Sequence, residues 1–408
     1  MGSFYPKEKI KILLLEGIHQ NAVKTFQDAG YTNIELLSGA LPEDQLVEKI
    51  KDVSIVGIRS KTQLTEKVLT AAEKLWAAAA FCIGTNQVDL KAAAKQGKVV
   101  FNSPYSNTRS VAELVIAEII FLMRGIPQKN AAAHENVWLK SATGSNEVRG
   151  KVLGIVGYGH IGTQVSVLAE SMGLKVIYYD VIPKLPMGNA TSVSSLEELL
   201  AQSDVVSLHV PSTPQTKNMI GAAELAKMQE GKFLINLSRG NVVVIEDLKA
   251  ALESGHIAGA AVDVFPLEPK TNKDPFTSPL QGHSNVILTP HIGGSTQEAQ
   301  QNIGIDAALK LVNYLDNGST VGSHTVPELH LPKQEGTHRI LHIHENVPGV
   351  MTKINKILSR ENINVVGQYL KTNEDIGYVV LDVREYVSRD VLDELRALDY
   401  TIKARVLY

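Results

Sequence analysis

The chain has 408 residues, 44% of them hydrophobic and 20% charged, with a net charge of −3. Such a composition is globular and long enough for two or three domains, and the near-neutral charge gives no electrostatic footprint for nucleic acid or an anionic membrane. The single cysteine, Cys82, cannot form an internal disulfide and suits a reducing compartment.

Taken in order, residues 11–16 read as a buried parallel strand, 19–29 as a helix, 33–37 as a strand and 43–51 as a helix opened by Pro42. A third strand over 53–58 runs into Arg59-Ser60-Lys61, and polar groups just past the carboxyl end of a parallel strand are where open α/β sheets bind ligands. Arg59 by itself is equally well read as a surface side chain. Thr65 caps a helix to Leu75, residues 77–83 form the next strand, and 99–101 a short one. Cys82 lies in that apolar run without a histidine beside it, so a buried structural thiol is expected there rather than a nucleophile. Apolar stretches at 75–84 and 111–123 are too short or are interrupted by Glu113 and Glu118, so no membrane span is expected. Residues 12–15 are too brief for a signal-peptide core, and a cytoplasmic location is expected.

Residues 102–108 are turn-rich. A long helix over 110–124 follows, read as the hinge into a second domain, and the polar segment 136–150 reads as a loop or interface arm. Strand–helix alternation resumes at Lys151 and continues through 205–210, 233–237, 260–264 and 286–288, the signature of a doubly wound sheet. At its start lies Gly157-Tyr158-Gly159-His160-Ile161-Gly162, between a buried strand and an apolar helical run. Gly157 allows the tight turn, Gly159 lets backbone N–H groups approach a pyrophosphate, and Gly162 permits close packing of helix on strand. The helix N-terminus then faces the phosphates. A bare GxGxxG is often only a turn; here a second strand follows and ends in Asp180, at the fingerprint spacing. Asp180 would accept the ribose hydroxyls and repel a 2′-phosphate, which favours NAD over NADP.

A helix over 295–316 leads back to the first domain. Residues 317–336 read as a linker. The remainder alternates as strand 339–344, helix 350–360, strands 363–370 and 377–384, helix 389–397 and strand 401–407, a ferredoxin-like βαββαβ pattern.

Three polar residues follow strand ends in the second domain: Arg239, Glu268 and His291. Their types suit hydride transfer to or from a 2-hydroxy acid. Arg239 offers a two-pronged grip on a carboxylate. His291 has a proton affinity near the working pH, and Glu268 would orient its ring and favour its charged form. Each residue alone also has a structural reading; it is the three at equivalent topological places that point to a site.

These motifs, with Asn236-Leu237-Ser238-Arg239-Gly240, Asp263-Val264-Phe265 and Thr289-Pro290-His291-Ile292-Gly293-Gly294, resemble the D-isomer-specific 2-hydroxyacid dehydrogenases over nearly the whole chain. With Glu113-Leu114-Val115 and 342–350, the resemblance is to members that carry a C-terminal ACT domain. It implies two doubly wound, Rossmann-like parallel-sheet domains, the first discontinuous, plus the ferredoxin-like ACT domain. The boundaries it implies are 1–107 with 295–336 for substrate, 108–294 for NAD and 337–408 for regulation.

The implied activity is NAD-dependent oxidation of 3-phospho-D-glycerate to 3-phosphohydroxypyruvate, the first step of serine synthesis, with side reduction of 2-oxoglutarate left open. Catalytic roles fall on Arg239, Glu268 and His291, and no metal is called for. Cofactor contacts fall on Gly157, Gly159, His160, Ile161, Gly162, Asp180, Leu237, Ser238, Asp263, Gly293 and Gly294. Substrate contacts fall on Arg59, Ser60, Asn107 and Gln300, and on Lys140, which in this family can reach a neighbouring subunit's site. His344, Asn346 and Asn364 are the implied contacts of an effector, L-serine, at the pairing of two ACT domains in a homotetramer joined through NAD domains and ACT domains. Two alternatives stay open: a dehydrogenase of an unphosphorylated D-2-hydroxy acid, and a non-catalytic NAD-sensing binding protein.

Overall fold

The computed structural model describes residues 5–269 and 273–407. They form two compact units, one from residues up to Ser106 and from Gln300 onward, the other from Asn107 to Ala299. Among the described residues no helix is long and apolar enough to cross a membrane.

The first unit opens with strands β1 (Ile12–Leu14), β2 (Ile34–Leu36), β3 (Ile55–Ile58), β4 (Ala77–Ala80) and β5 (Val99–Asn102). All pair in parallel, in the order β2-β1-β3-β4-β5. Alternate side chains feed two cores: Ile12 and Leu14 pack with Phe26, Ala307 and Leu311, while Leu13 and Leu15 pack with Leu46, Val68 and Ala93. That division follows from the two-residue period of a strand covered on both faces. In β4 all four residues are alanine and all are buried. Alanine favours helix, and the strand wins because a central sheet position pairs every backbone group.

In the second unit, β6 (Val152–Val156), β7 (Lys175–Tyr179), β8 (Thr191–Ser192), β9 (Val205–Leu208), β10 (Lys232–Asn236), β11 (Ile257–Val262) and β12 (Val286–Leu288) pair in parallel. Their order is β12-β11-β10-β9-β6-β7-β8, so the direction of winding reverses between β6 and β9. The Thr108–Arg124 helix ends at Gly125, whose φ is +59°, and a further helix, Ile126–His134, starts with Pro127 in its first turn. Glycine closing one helix and proline opening the next is the signal that separates the two.

Strands β13 (His338–Glu345), β14 (Val365–Thr372), β15 (Ile376–Val383) and β16 (Thr401–Val406) form an antiparallel sheet ordered β14-β15-β13-β16, with helices Val350–Arg360 and Arg389–Ala397 between them. This is the expected βαββαβ module. Every residue of β15 is buried, because both faces are covered. Val379 and Leu381 pack on the module's own helices, whereas Tyr378 and Val380 join the core of the first sheet. Residues 317–332 are not a loose tether. Thr320 Oγ1 donates to Pro327 O at 2.7 Å, His324 N donates to Val100 O at 2.9 Å, and Thr325 Oγ1 both donates to Lys98 O and accepts from Val100 N. Arg339, fully buried, forms a two-pronged pair with Asp382 at 2.7 and 2.8 Å and also donates to the carbonyls of Asn317 and Pro332.

Candidate functional site

In an open doubly wound sheet the crevice for a ligand lies past the carboxyl ends of the strands where the winding reverses. Gly157 follows β6 at that place with φ +91°, and a Cβ there would meet the carbonyl oxygen of His209, just past β9, at 2.5 Å. A Cβ on Gly162 would overlap the Gly157 carbonyl, so helix and turn touch backbone to backbone. Gly159, the N-cap of the His160–Ser171 helix, has nothing within 4 Å of where a Cβ would stand. Two glycines are therefore fixed by close approach, and the third borders open space at a helix N-terminus, the arrangement a pyrophosphate requires.

The acid of the fingerprint is in place. Asp180 accepts from Tyr158 N at 2.8 Å and from Ile182 N at 2.9 Å, one bond on each oxygen. Each carboxylate oxygen keeps a further lone pair for a ribose hydroxyl. Tyr158, inside the motif, is a structural pillar: it stacks on Tyr178 with ring centroids 3.8 Å apart and donates to Ser166.

The catalytic candidates come from neighbouring strand ends. Asn236, the last residue of β10 and fully buried, accepts from Ser238 N and Ser238 Oγ and donates to Arg239 O at 3.1 Å. This bracket fixes the loop carrying Arg239, whose Nη1 donates to Ser238 O at 2.7 Å. A Cβ on Gly240 would overlap the Phe265 carbonyl group, so that loop lies directly against the 263–268 segment. There Glu268 Oε1 accepts from Phe265 N at 3.1 Å, and Glu268 Oε2 lies 2.8 Å from His291 Nδ1. His291 stands in left-handed backbone, φ +54°. Asp263 holds the segment after it, accepting from Thr289 Oγ1 at 2.6 Å and from the N–H groups of Ile292 and Gly293, each at 2.8 Å.

The hydrogen bond to Glu268 holds His291 above the ordinary histidine range; burial opposes it, and the charges of Glu268 and Asp263 add to it. Burial pushes Glu268 up, but the bonds from His291 and Phe265 N–H and the charges of His291 and Arg239 outweigh it, leaving the carboxyl below its usual range. With Nδ1 committed to Glu268, Nε2 is the nitrogen left to exchange a proton.

The other candidates are placed as follows. Leu237 and Gly293 are buried, and the space above Gly293 is bounded by Asp263 and Leu237. His160 and Ile161 form the first turn after Gly159. Asn107, N-cap of the Thr108–Arg124 helix, is buried with Oδ1 unpartnered among the described residues, and its amide fills the space a Cβ on Gly294 would need. Lys140 lies in an exposed segment with Trp138 and makes no hydrogen bond or ion pair among the described residues.

In the first unit, Arg59 and Ser60 follow β3. Their loop is held by Glu16, which accepts from the backbone of Arg59, Lys61 and Thr62 at 3.0, 3.0 and 2.8 Å, while Gln87 donates to Arg59 O at 2.7 Å. Gln300 is half-buried on the Gln297–Asn317 helix. Sequence assigns no bracing role to Glu16 or to Asn236, although Asn236 opens the 236–240 motif; the signal is position, since each is an acceptor at the end of a strand beside the loop it holds. Cys82 is half-buried, accepts from Gln87, and burial pushes its thiol up, as a structural thiol requires. Among the described residues no group of three or more His, Cys, Asp or Glu is placed to hold a metal.

The effector candidates are not gathered within one chain. His344 pairs with Gly377 at the start of β15, and Asn346 N donates to Asp375 O. Asn364 O accepts from Arg384 N, past the other end of β15. Strand length alone separates the two ends.

Residues 116–293 match the family model described as D-isomer specific 2-hydroxyacid dehydrogenase, NAD binding domain, and residues 340–403 match one described as AHAS small subunit-like ACT domain. The chain is 58% identical over 404 residues to the D-3-phosphoglycerate dehydrogenase of Escherichia coli strain K12, covering 98% of each chain. It is 57% identical over 402 residues to that of Haemophilus influenzae, again with 98% of each covered. Among solved structures, a D-lactate dehydrogenase from Aquifex aeolicus complexed with NAD and lactic acid superposes with a TM-score of 0.65 at 26% identity, covering 78% of this chain and 100% of that one. The glycine turn, the Asp180 acceptor and the Arg239, Glu268 and His291 constellation are thus set in a known framework: the chain belongs to the NAD-dependent D-isomer-specific 2-hydroxyacid dehydrogenases.

Proposed function

We propose that the chain oxidises 3-phospho-D-glycerate to 3-phosphohydroxypyruvate with NAD, with catalysis by Arg239, Glu268 and His291. The reading rests on the 2.8 Å contact between His291 and Glu268 beside the Arg239 loop, together with full-length relatives named D-3-phosphoglycerate dehydrogenase at 58% and 57% identity. Bound NAD supplies the hydride acceptor. Arg239 grips the substrate carboxylate through two parallel N–H bonds and stabilises the carbonyl oxygen that develops at C2 as its hydride leaves. His291 takes the hydroxyl proton at Nε2, and Glu268, ionised, stabilises the imidazolium that results. The Arg59-Ser60 loop receives the phosphate, because a planar guanidinium suits a phosphate dianion; Lys140 of a second copy, Asn107 and Gln300 complete the contacts. Residues 1–107 with 295–336 carry the substrate, 108–294 carry NAD, and 337–408 regulate.

The regulatory part of the proposal is inhibition by L-serine. His344 and Asn346 lie at one end of β15 and Asn364 past the other, so two antiparallel copies of the module, paired along exposed edge strand β14, bring one end of each to the other. Gly349, with open space around its Cα and φ +91°, lets an amino acid approach the backbone there. A homotetramer in the cytoplasm is the assembly this implies. The test of the activity is a steady-state assay with NAD across 3-phospho-D-glycerate, D-glycerate and D-lactate, and with NADH for reduction of 2-oxoglutarate. The phosphorylated acid is expected to lead in kcat/KM by at least about a hundredfold, on the order of 3 kcal/mol for a charged contact. Equal values for phosphorylated and unphosphorylated acids would assign the chain to a sister activity.

A further inference from the structure

At the amino ends of β1, β3 and β4, away from the Arg59 loop, a cavity of about 730 Å³ opens between the first sheet and β16. Ile10, Ser54 and Trp76, each just ahead of one of those strands, line one side, and residues 402–407 line another. Its volume is within the range of small-molecule sites.

Among the described residues, Lys7, Lys74, Lys333, Arg396, Lys403 and Arg405 line it against two acids, Glu73 and Asp316. Lys7 is matched by Asp316 at 2.7 Å and Arg396 by Asp393 at 3.0 Å. Lys403 and Arg405 are not matched by acids: Lys403 Nζ donates to Leu75 O at 2.6 Å and Arg405 Nη2 to Tyr314 O at 2.9 Å, and neither forms an ion pair among the described residues. The Arg405 guanidinium is held between the Trp76 and Tyr314 rings, 4.8 and 4.5 Å from their centroids. Its Nε is buried and has no acceptor among the described residues. Lys74 lines the cavity, exposed and without an ion pair there, and Glu73 is the remaining acid. Behind the wall, buried Lys98 donates to Leu69 O and to Gln96 Oε1. Burial lowers Lys403 to about 7, and the like charges of Lys98, Arg405 and Arg396 contribute.

Cations gathered at a cavity without acids to match them are destabilising unless an anion joins them. We propose that this cavity is a binding site for a small organic polyanion carrying two or more carboxylate or phosphate groups. Lys403 and Arg405 hold one anionic group against β16, Lys74 meets a second at the mouth, and the ring of Trp76 lies against the carbon skeleton between them.

Trp76 is one of two tryptophans, and Trp138→Phe leaves it as the sole indole reporter. In that full-length protein, at constant ionic strength, citrate and inorganic pyrophosphate are titrated while Trp76 emission is followed. A saturable change is expected below about 1 mM, weakened tenfold or more by Lys403→Met and by the surface variant Lys74→Gln. Citrate alone giving the change assigns a polycarboxylate, and pyrophosphate alone a polyphosphate. Calorimetry in two buffers at pH 7 should show proton uptake on binding, because the anion returns Lys403 to its charged form. The proposal is overturned if neither anion gives a saturable change, or if both bind Lys403→Met and Lys74→Gln as tightly as the parent.

Discussion

Replacing Glu268 by glutamine tests the proton path at its second member. The carboxylate accepts from Phe265 N–H on one oxygen and from His291 Nδ1–H on the other; the amide has a single acceptor oxygen, so it keeps one of these bonds at most and loses the charge. A hydrogen bond to a charged group contributes about 1.5–3 kcal/mol. The His291 side chain is 52% exposed and that of Glu268 35%, so solvent screening puts this pair at the low end, about 1.5 kcal/mol. One pH unit along a titration limb corresponds to about 1.4 kcal/mol. The charge of Glu268 raises the proton affinity of His291, and its removal must lower it. In oxidation His291 has to be neutral to accept the proton, so the acid limb of kcat/KM moves down by about one pH unit. In reduction His291 has to be charged, so the basic limb also moves down, and reduction above that limb falls about tenfold. The assay is kcat/KM against pH in both directions, for parent and variant. Limbs that stay within about 0.3 pH unit would show that Glu268 only braces the Phe265 backbone.

Asp180→Ala should raise the NADP-to-NAD ratio of kcat/KM tenfold or more, since it removes the charge that repels a 2′-phosphate; an unchanged ratio would place cofactor choice elsewhere. Glu118, buried with neither oxygen partnered among the described residues, is raised to about 8 by burial and by the charge of Asp263. Its contribution to stability is present below the unfolded carboxyl range and is lost as pH rises through about 8. Glu118→Gln should therefore melt a few degrees higher than the parent at pH 8.5 relative to its standing at pH 5, and parallel melting curves across that range would contradict the assignment. For the regulatory module, Asn346→Ala and Asn364→Ala should each abolish inhibition by millimolar L-serine with kcat retained. Undiminished inhibition in both would remove the proposed effector site.

The glycine turn, Asp180 and the three catalytic candidates were legible because each is a residue type fixed by local geometry at a strand end. The βαββαβ tail was legible from period alone: its helices are observed at Val350–Arg360 and Arg389–Ala397, matching the spans read from sequence. What sequence did not convey is how loops are held. Asn236 and Glu16 organise the Arg239 and Arg59 loops through hydrogen bonds; Asn236 opens a motif legible in the sequence, but the loop-holding role of both residues exists only once the chain has folded. The same holds for 317–336, which reads as a linker by composition yet is pinned to β5 through Thr325 and His324. The burial of β15 on both faces depends on contacts between remote segments, which no window of sequence contains.

If His291 exchanges the substrate proton at a site built on the NAD sheet, removing its imidazole slows turnover without loosening the cofactor. The measurement is kcat/KM for 3-phospho-D-glycerate and the Kd for NADH, side by side in the parent and His291→Ala. The expected result is a fall in kcat/KM of about 10²–10⁴-fold with NADH affinity within about threefold, under 0.7 kcal/mol. Turnover within a few-fold of the parent, or loss of NADH binding in parallel with turnover, would contradict it.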